Sequence, residues 1–133
     1  MDDLIESRAR RALPDMLLQV RGGERRVNMS EIIYAERLMR KMHIHTTQGV
    51  FITKNSLDQL YNQMKEYGFA YAHRSCIVNL RRVQAIVDQK AVFEDGAECD
   101  IARSRIQELY SRWNDIMAAD QPGLAHAGIR NGR

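Results

Sequence analysis

His73, Arg74 and Ser75 lie within Tyr71-Ala72-His73-Arg74-Ser75-Cys76-Ile77-Val78-Asn79-Leu80-Arg81-Arg82, a stretch with four basic or potentially basic side chains and no acid. The apolar Cys76-Ile77-Val78 separates the two basic ends and reads as a short strand. Two further clusters share this character: Arg37/Arg40/Lys41, and Arg103/Arg105. A guanidinium is a planar fork that suits bidentate contact to phosphate or to guanine. Each cluster falls where a predicted strand ends and a loop can project. If all three emerge from one edge, they form a row able to follow a phosphate backbone and reach base edges. Loop arginines facing water explain the same residues, and composition alone leaves both readings open.

Other chemistries fit less well. His43 and His45 share one strand face, but no third ligand stretch accompanies them, so a metal is not expected there. Cys76 and Cys99 have neither CxxC spacing nor histidines at metal-site intervals. They read as two buried thiols in a reducing compartment. Gly22-Gly23 lacks the phosphate-cradling glycine patterns and reads as a hairpin turn. Ser75 and His73 are two apart with no orienting third group, so no nucleophile–base pair is formed. We therefore expect no enzyme activity, no cofactor and no metal site.

The 133 residues suffice for one domain with its own core, and the composition is that of an ordinary globular protein, 44% hydrophobic and 28% charged. Lys+Arg exceed Asp+Glu by 20 to 17, too small an excess to imply nucleic acid by itself. No apolar run is long enough to span a membrane, and no secretory signal precedes the first charges. A cytoplasmic protein is the expectation.

Residues 1–15 read as a lead-in or linker helix with a thin apolar face (Leu4, Ile5, Ala9, Ala12, Leu13), ended by Pro14. From Met16 the hydrophobic period becomes two. Met16–Arg21 and Glu24–Met29 form a hairpin about Gly22-Gly23, and Glu31–Glu36 makes a third strand. Arg37–Lys41 interrupts. A second hairpin follows, with Met42, Ile44 and Thr46 alternating against His43, His45 and Thr47, and a turn at Gln48-Gly49. Leu57, Leu60, Tyr61 and Met64 mark a helix opened by a Ser56/Gln59 capping box and closed by Gly68. Further strands are predicted at Val83–Val87, Ala91–Glu94 and Glu98–Ile101, the last two joined by Asp95-Gly96. A final helix carries Ile106, Leu109, Tyr110, Trp113, Ile116 and Met117, and residues 118–133 read as a flexible tail. Short antiparallel strands with two helices and no βαβ alternation indicate an α+β, predominantly β domain.

Residues 16–117 resemble the LytTR DNA-binding domain family, the output module of many bacterial response regulators. Phe69-Ala70-Tyr71-Ala72-His73-Arg74-Ser75-Cys76-Ile77-Val78-Asn79-Leu80 is similar to that family's F-x-R-x-H-R-S-x-I-V-N-L signature, with Tyr71 in place of the usual arginine. Ile32-Ile33-Tyr34-Ala35-Glu36 and Ser56-Leu57-Asp58-Gln59-Leu60 are similar to its D-I-x-Y-I-E strand and S-L-x-x-L helix opening. The resemblance implies elongated antiparallel sheets whose inter-strand loops enter successive major grooves of double-stranded DNA. It implies a sequence-specific transcriptional regulator contacting DNA through Arg37, Arg40, Lys41, His73, Arg74, Ser75 and Arg103 or Arg105, with Arg74 as the main base reader. Arg81 and Arg82 are expected to touch phosphate, and Asn79 to hold a turn. The fifteen residues before Met16 leave no room for a receiver domain, so control is expected through a partner protein, abundance or a ligand. A homodimer on DNA fits this scheme. The alternative is a protein-interaction module sequestering a partner regulator through the Leu4–Leu13 or Trp113 helix. RNA binding is disfavoured, because no exposed aromatic stacking pair is recognisable.

Overall fold

The computed structural model describes residues 13–120. Strands β1 (Asp15–Val20) and β2 (Gly23–Asn28) form the expected first hairpin, in register from Asp15↔Asn28 to Val20↔Gly23. The central sheet has five antiparallel strands in the order β5-β4-β3-β7-β6. Its members are β3 (Ile32–Leu38), β4 (Lys41–Thr46), β5 (Gly49–Thr53), β6 (Phe69–His73) and β7 (Cys76–Asn79). A third sheet, in the order β10-β9-β8, comprises β8 (Val83–Val87), β9 (Lys90–Phe93) and β10 (Glu98–Asp100). Helix α1 (Leu57–Met64) precedes β6, and α2 (Ile106–Asp120) ends the described chain. The architecture is the predicted α+β, predominantly β one.

The inner part of the central sheet is covered on both faces, so β7 is buried along its whole length. By contrast, β4 alternates buried Met42, Ile44 and Thr46 with part-exposed His43 and His45, and β5 leaves Val50 and Ile52 exposed. Ile32, Ala35, Ile44, Phe69 and Ile77 face one core together with Met16 and Leu18 of the first hairpin and Leu57, Leu60 and Met64 of α1. Ile33, Ala70, Ala72, Cys76 and Val78 face a second core with Phe93, Cys99, Ile101 and Leu109. In β7, therefore, Ile77 serves one core and its neighbours the other. Each large side chain so buried stabilises the fold by about 1.5–3 kcal/mol relative to exposure.

Local chemistry sets the boundaries. Ser56 Oγ accepts from Gln59 N–H at 3.1 Å, and Gln59 Oε1 accepts from Ser56 N–H at 2.9 Å. That reciprocal cap starts α1 where the sequence indicated and contributes about 1 kcal/mol. Gly68 closes the segment with φ +88°, a left-handed conformation that glycine adopts without steric cost. Asn79 is buried, donates from Nδ2 to Ile32 O at 2.8 Å and accepts at Oδ1 from Arg81 N–H at 3.1 Å. It ends β7 and holds the following turn.

Two boundaries differ from expectation. The interruption expected over Arg37–Lys41 shrinks to Met39 and Arg40, because β3 runs on to Leu38 and pairs it with Lys41. Helix α2 runs through Asp120 rather than fraying at Ala118; Asp120 Oδ2 accepts from Arg81 Nε at 3.1 Å and anchors the last turn. The lead-in helix expected over residues 1–15 falls mostly outside the described residues, within which Leu13 and Pro14 are not helical and β1 begins at Asp15; the tail from 121 onward also lies outside them.

Candidate nucleic-acid interface

The β3–β4 and β6–β7 turns leave the central sheet at the same end, because β3 pairs antiparallel with both β4 and β7. Arg37 N–H donates to Ser75 O at 2.9 Å, which extends the β3–β7 ladder to the base of both turns. Ala102 N–H donates to Ala72 O at 2.8 Å and brings the Arg103 segment alongside the end of β6. Two backbone hydrogen bonds thus draw three clusters, 29 or more residues apart in sequence, into one row. With strands about 4.8 Å apart, the two turns stand roughly 10 Å from each other.

Within this row, Arg37, Arg40, Lys41, Arg74 and Arg103 are exposed. Among the described residues none of these five side chains makes an ion pair or hydrogen bond. Their charges face solvent. His73 and Ser75 are half-buried; Ser75 N–H donates to His73 Nδ1 at 3.1 Å and so braces the turn beneath Arg74. Arg105 behaves differently. Its guanidinium sits 5.3 Å from the centroid of the Tyr71 ring, a cation–π arrangement that holds it against the domain. In Ala102-Arg103-Ser104-Arg105, Arg103 is therefore the arginine that projects.

Tyr71, where the family signature has arginine, ties elements together. Its hydroxyl donates to Asp58 Oδ1 of α1, and its ring packs 4.7 Å from that of Tyr61. Burial, and then the bond to Asp58, push its phenol well above the ordinary value.

Arg81 and Arg82, expected beside phosphate, are carried to the opposite end of the sheet by β7. Arg81 donates from Nη1 to Tyr67 O at 3.0 Å as well as to Asp120, and Arg82 donates to Ser30 O at 2.9 Å and to Glu94 Oε1 at 3.1 Å. Both are part-buried tethers of the fold, and the structure does not bring them to the row. Their adjacency to the His73 motif in sequence was misleading because β7 separates them by its full length.

Sequence reasoning also missed the shape of the β3–β4 turn. Met39 and Arg40 both have positive φ, 54° and 70°, the backbone of a tight mirror-image hairpin turn that ordinarily selects Asn-Gly. Met39 is 86% exposed at its tip. Nothing in Met-Arg signals such a turn. Lys54 follows β5 at the same end and is exposed. Acid enters this region through Asp100, whose carboxylate is paired to Lys90 at 2.7 Å and held below its ordinary value by that bond.

Of the two histidines of β4, His45 is engaged within the fold. His45 Nε2 lies 2.9 Å from Glu36 Oε2, and its ring stacks 4.0 Å from that of Tyr34. Tyr34 in turn stacks 5.0 Å from Phe93; burial, and then Glu36, push its phenol up to about 12. The Trp113 face of α2 is engaged in the second core, with Trp113 Nε1 donating to Val83 O at 3.0 Å. It does not form the open apolar surface that a sequestering module was expected to use.

The family described as LytTr DNA-binding domain matches residues 23–114, and the chain belongs to it. Four solved chains match. One is the LytTr DNA-binding domain of a protein described as a methyl-accepting/DNA response regulator from Bacillus cereus. It shares 19% identity at a TM-score of 0.63, covering 74% of this chain and 94% of that one. Likeness at this identity speaks for the fold. A comparison with curated proteins gives no match. No helix among the described residues is long and apolar enough to cross a membrane.

Proposed function

We propose that this domain binds double-stranded DNA sequence-specifically and regulates transcription, with the turn end of the central sheet as its reading surface. The single observation that carries the reading is the alignment of three solvent-facing cationic clusters by the Arg37–Ser75 and Ala102–Ala72 backbone bonds. Turns roughly 10 Å apart match a major groove about 12 Å wide. Arg74 and Arg40 are placed to read base edges there, and Arg103 extends the row toward the neighbouring groove. Lys41 and Arg37, set back on the strands, suit phosphate. Such contacts add affinity without sequence preference. His73 and Ser75 hold the Arg74 turn and approach DNA with it. Arg105, packed on Tyr71, supports the Arg103 segment from behind.

Selection from random duplexes followed by fluorescence-anisotropy titration tests this. The expected outcome is an enriched motif bound at least about a thousandfold more tightly than random sequence. Absence of enrichment at moderate salt removes the specific-binding reading. Loss of all binding to duplexes removes DNA as the partner.

A further inference from the structure

Two buried thiols that the proposed DNA contacts leave without a role meet His73 directly beneath the Arg74 turn. His73 and Cys76 are cross-strand partners at the end of the β6–β7 ladder. Cys99, on the outer strand β10, lies against them, its Sγ 2.8 Å from Cys76 Sγ. One ring nitrogen of His73 and the two sulfurs all fall within 4.8 Å of one another. The sulfurs are buried, while the imidazole is half-exposed and gives the cluster a side open to solvent.

We propose that His73, Cys76 and Cys99 form a binding site for one thiophilic cation, zinc(II) or copper(I), whose occupancy is coupled to the Arg74 turn. Two sulfurs and an imidazole select soft or borderline ions over the oxygen-seeking magnesium or calcium. Three protein ligands suffice for copper(I); for zinc they leave a fourth position, which the open His73 side can supply with water. Two sulfurs at metal distances of about 2.3 Å under a tetrahedral angle stand roughly 3.8 Å apart, so the thiol contact must widen by about 1 Å. That movement falls on β10, a three-residue strand at a sheet edge. As the metal–sulfur bonds form, each thiol gives its proton to solvent. Because those protons are released on binding, affinity strengthens as pH rises.

The coupling follows from the proton on His73. Because Nδ1 accepts from Ser75 N–H at 3.1 Å, the neutral ring carries its hydrogen on Nε2. An ion at Nδ1 takes the lone pair that Ser75 uses. An ion at Nε2 sends the hydrogen to Nδ1, which then cannot accept. Either mode removes the brace under Arg74. Metal loading therefore loosens the turn, and this second half of the inference rests on the DNA-binding reading.

The whole chain, kept in a non-thiol reductant, is titrated with zinc and, without oxygen, with copper(I), each against a chromophoric chelator. Cobalt(II) in place of zinc reports sulfur ligation through its charge-transfer band. We expect one ion per chain, with His73→Gln and Cys99→Ser each weakening binding at least about tenfold. Circular dichroism checks each variant; His73→Gln, at a half-exposed position, tests the site even where a cysteine variant unfolds. Failure of both ions to bind at one equivalent overturns the site, as does binding indifferent to both substitutions. In the second arm, the selected duplex is titrated with free and loaded protein. Loading should weaken binding severalfold in the native chain and leave Cys99→Ser unchanged. Equal affinity of free and loaded protein overturns the coupling. The metal arm contains no DNA, so failure to select any duplex sinks the DNA reading and leaves the site standing.

Discussion

The two ends of the central sheet both carry arginines, and they differ in what lies within reach of the guanidinium. At one end Arg40, Arg74 and Arg103 project from turns and meet no carboxylate among the described residues. At the other, Arg81 and Arg82 follow β7 into a turn where Asp120, Glu94 and the carbonyls of Tyr67 and Ser30 stand ready. Residue type is the same; partner geometry differs. A satisfied guanidinium contributes to folding and is unavailable to a ligand, whereas an unopposed one adds little to stability and keeps its charge for a partner. This contrast teaches that a basic residue's function is decided by the acceptors its neighbourhood lacks.

Substitution should separate the ends cleanly. Arg74→Ala should cost about 1–3 kcal/mol on the selected duplex and much less on random sequence, with an unchanged urea midpoint. Equal losses on both duplexes would refute its assignment as a base reader. Gly68→Ala should act at the other end. A Cβ there would lie 2.5 Å from Arg81 Nη1 at a φ of +88°, and strain plus a displaced guanidinium should cost about 1–3 kcal/mol of stability. Denaturant unfolding gives that number, and DNA affinity per folded molecule should hold.

Arg81→Ala should lower stability by about 1 kcal/mol and leave DNA binding intact; a DNA defect without a stability defect would erase the contrast between the ends. Lys41→Ala should weaken specific and random DNA alike and reduce the salt slope by about one, read from anisotropy across ionic strengths. The last effect concerns pH. Tyr34 has its folded value raised to about 12 from an unfolded value of 10.0. Its contribution is therefore complete below pH 10 and lost as pH rises through 12. Tyr34→Phe should flatten the alkaline decline in that window, measured as urea midpoint against pH.

Much of this molecule was legible beforehand. The capping box at Ser56/Gln59, the apolar stripe of α1 and the Asp95-Gly96 turn are local devices, and they act where local chemistry directs them. The strand opening at Cys76 was legible for the same reason, as a short apolar run, whereas β6, the other arm of the Arg74 turn, was not among the strands read from the sequence. Less visible was the extent of β3, because Met39-Arg40 adopts left-handed backbone without glycine or asparagine. The register of the Arg103 segment was ambiguous until the Tyr71 ring claimed Arg105. The roles of Arg81 and Arg82 depended on Asp120, Glu94, Tyr67 and Ser30, none of which is near them in sequence except through the fold.

By itself, the sequence determined the periods, the glycine-marked turns, the two helices and the family, since these follow from side-chain spacing and backbone preference within a few residues. Only the tertiary structure decided which arginines face outward, that three distant clusters share one edge, and that Cys99 reaches Cys76 and His73. Those outcomes depend on strand pairing between segments far apart in the chain. A single backbone bond, such as Ala102 to Ala72, places side chains that no local pattern encodes.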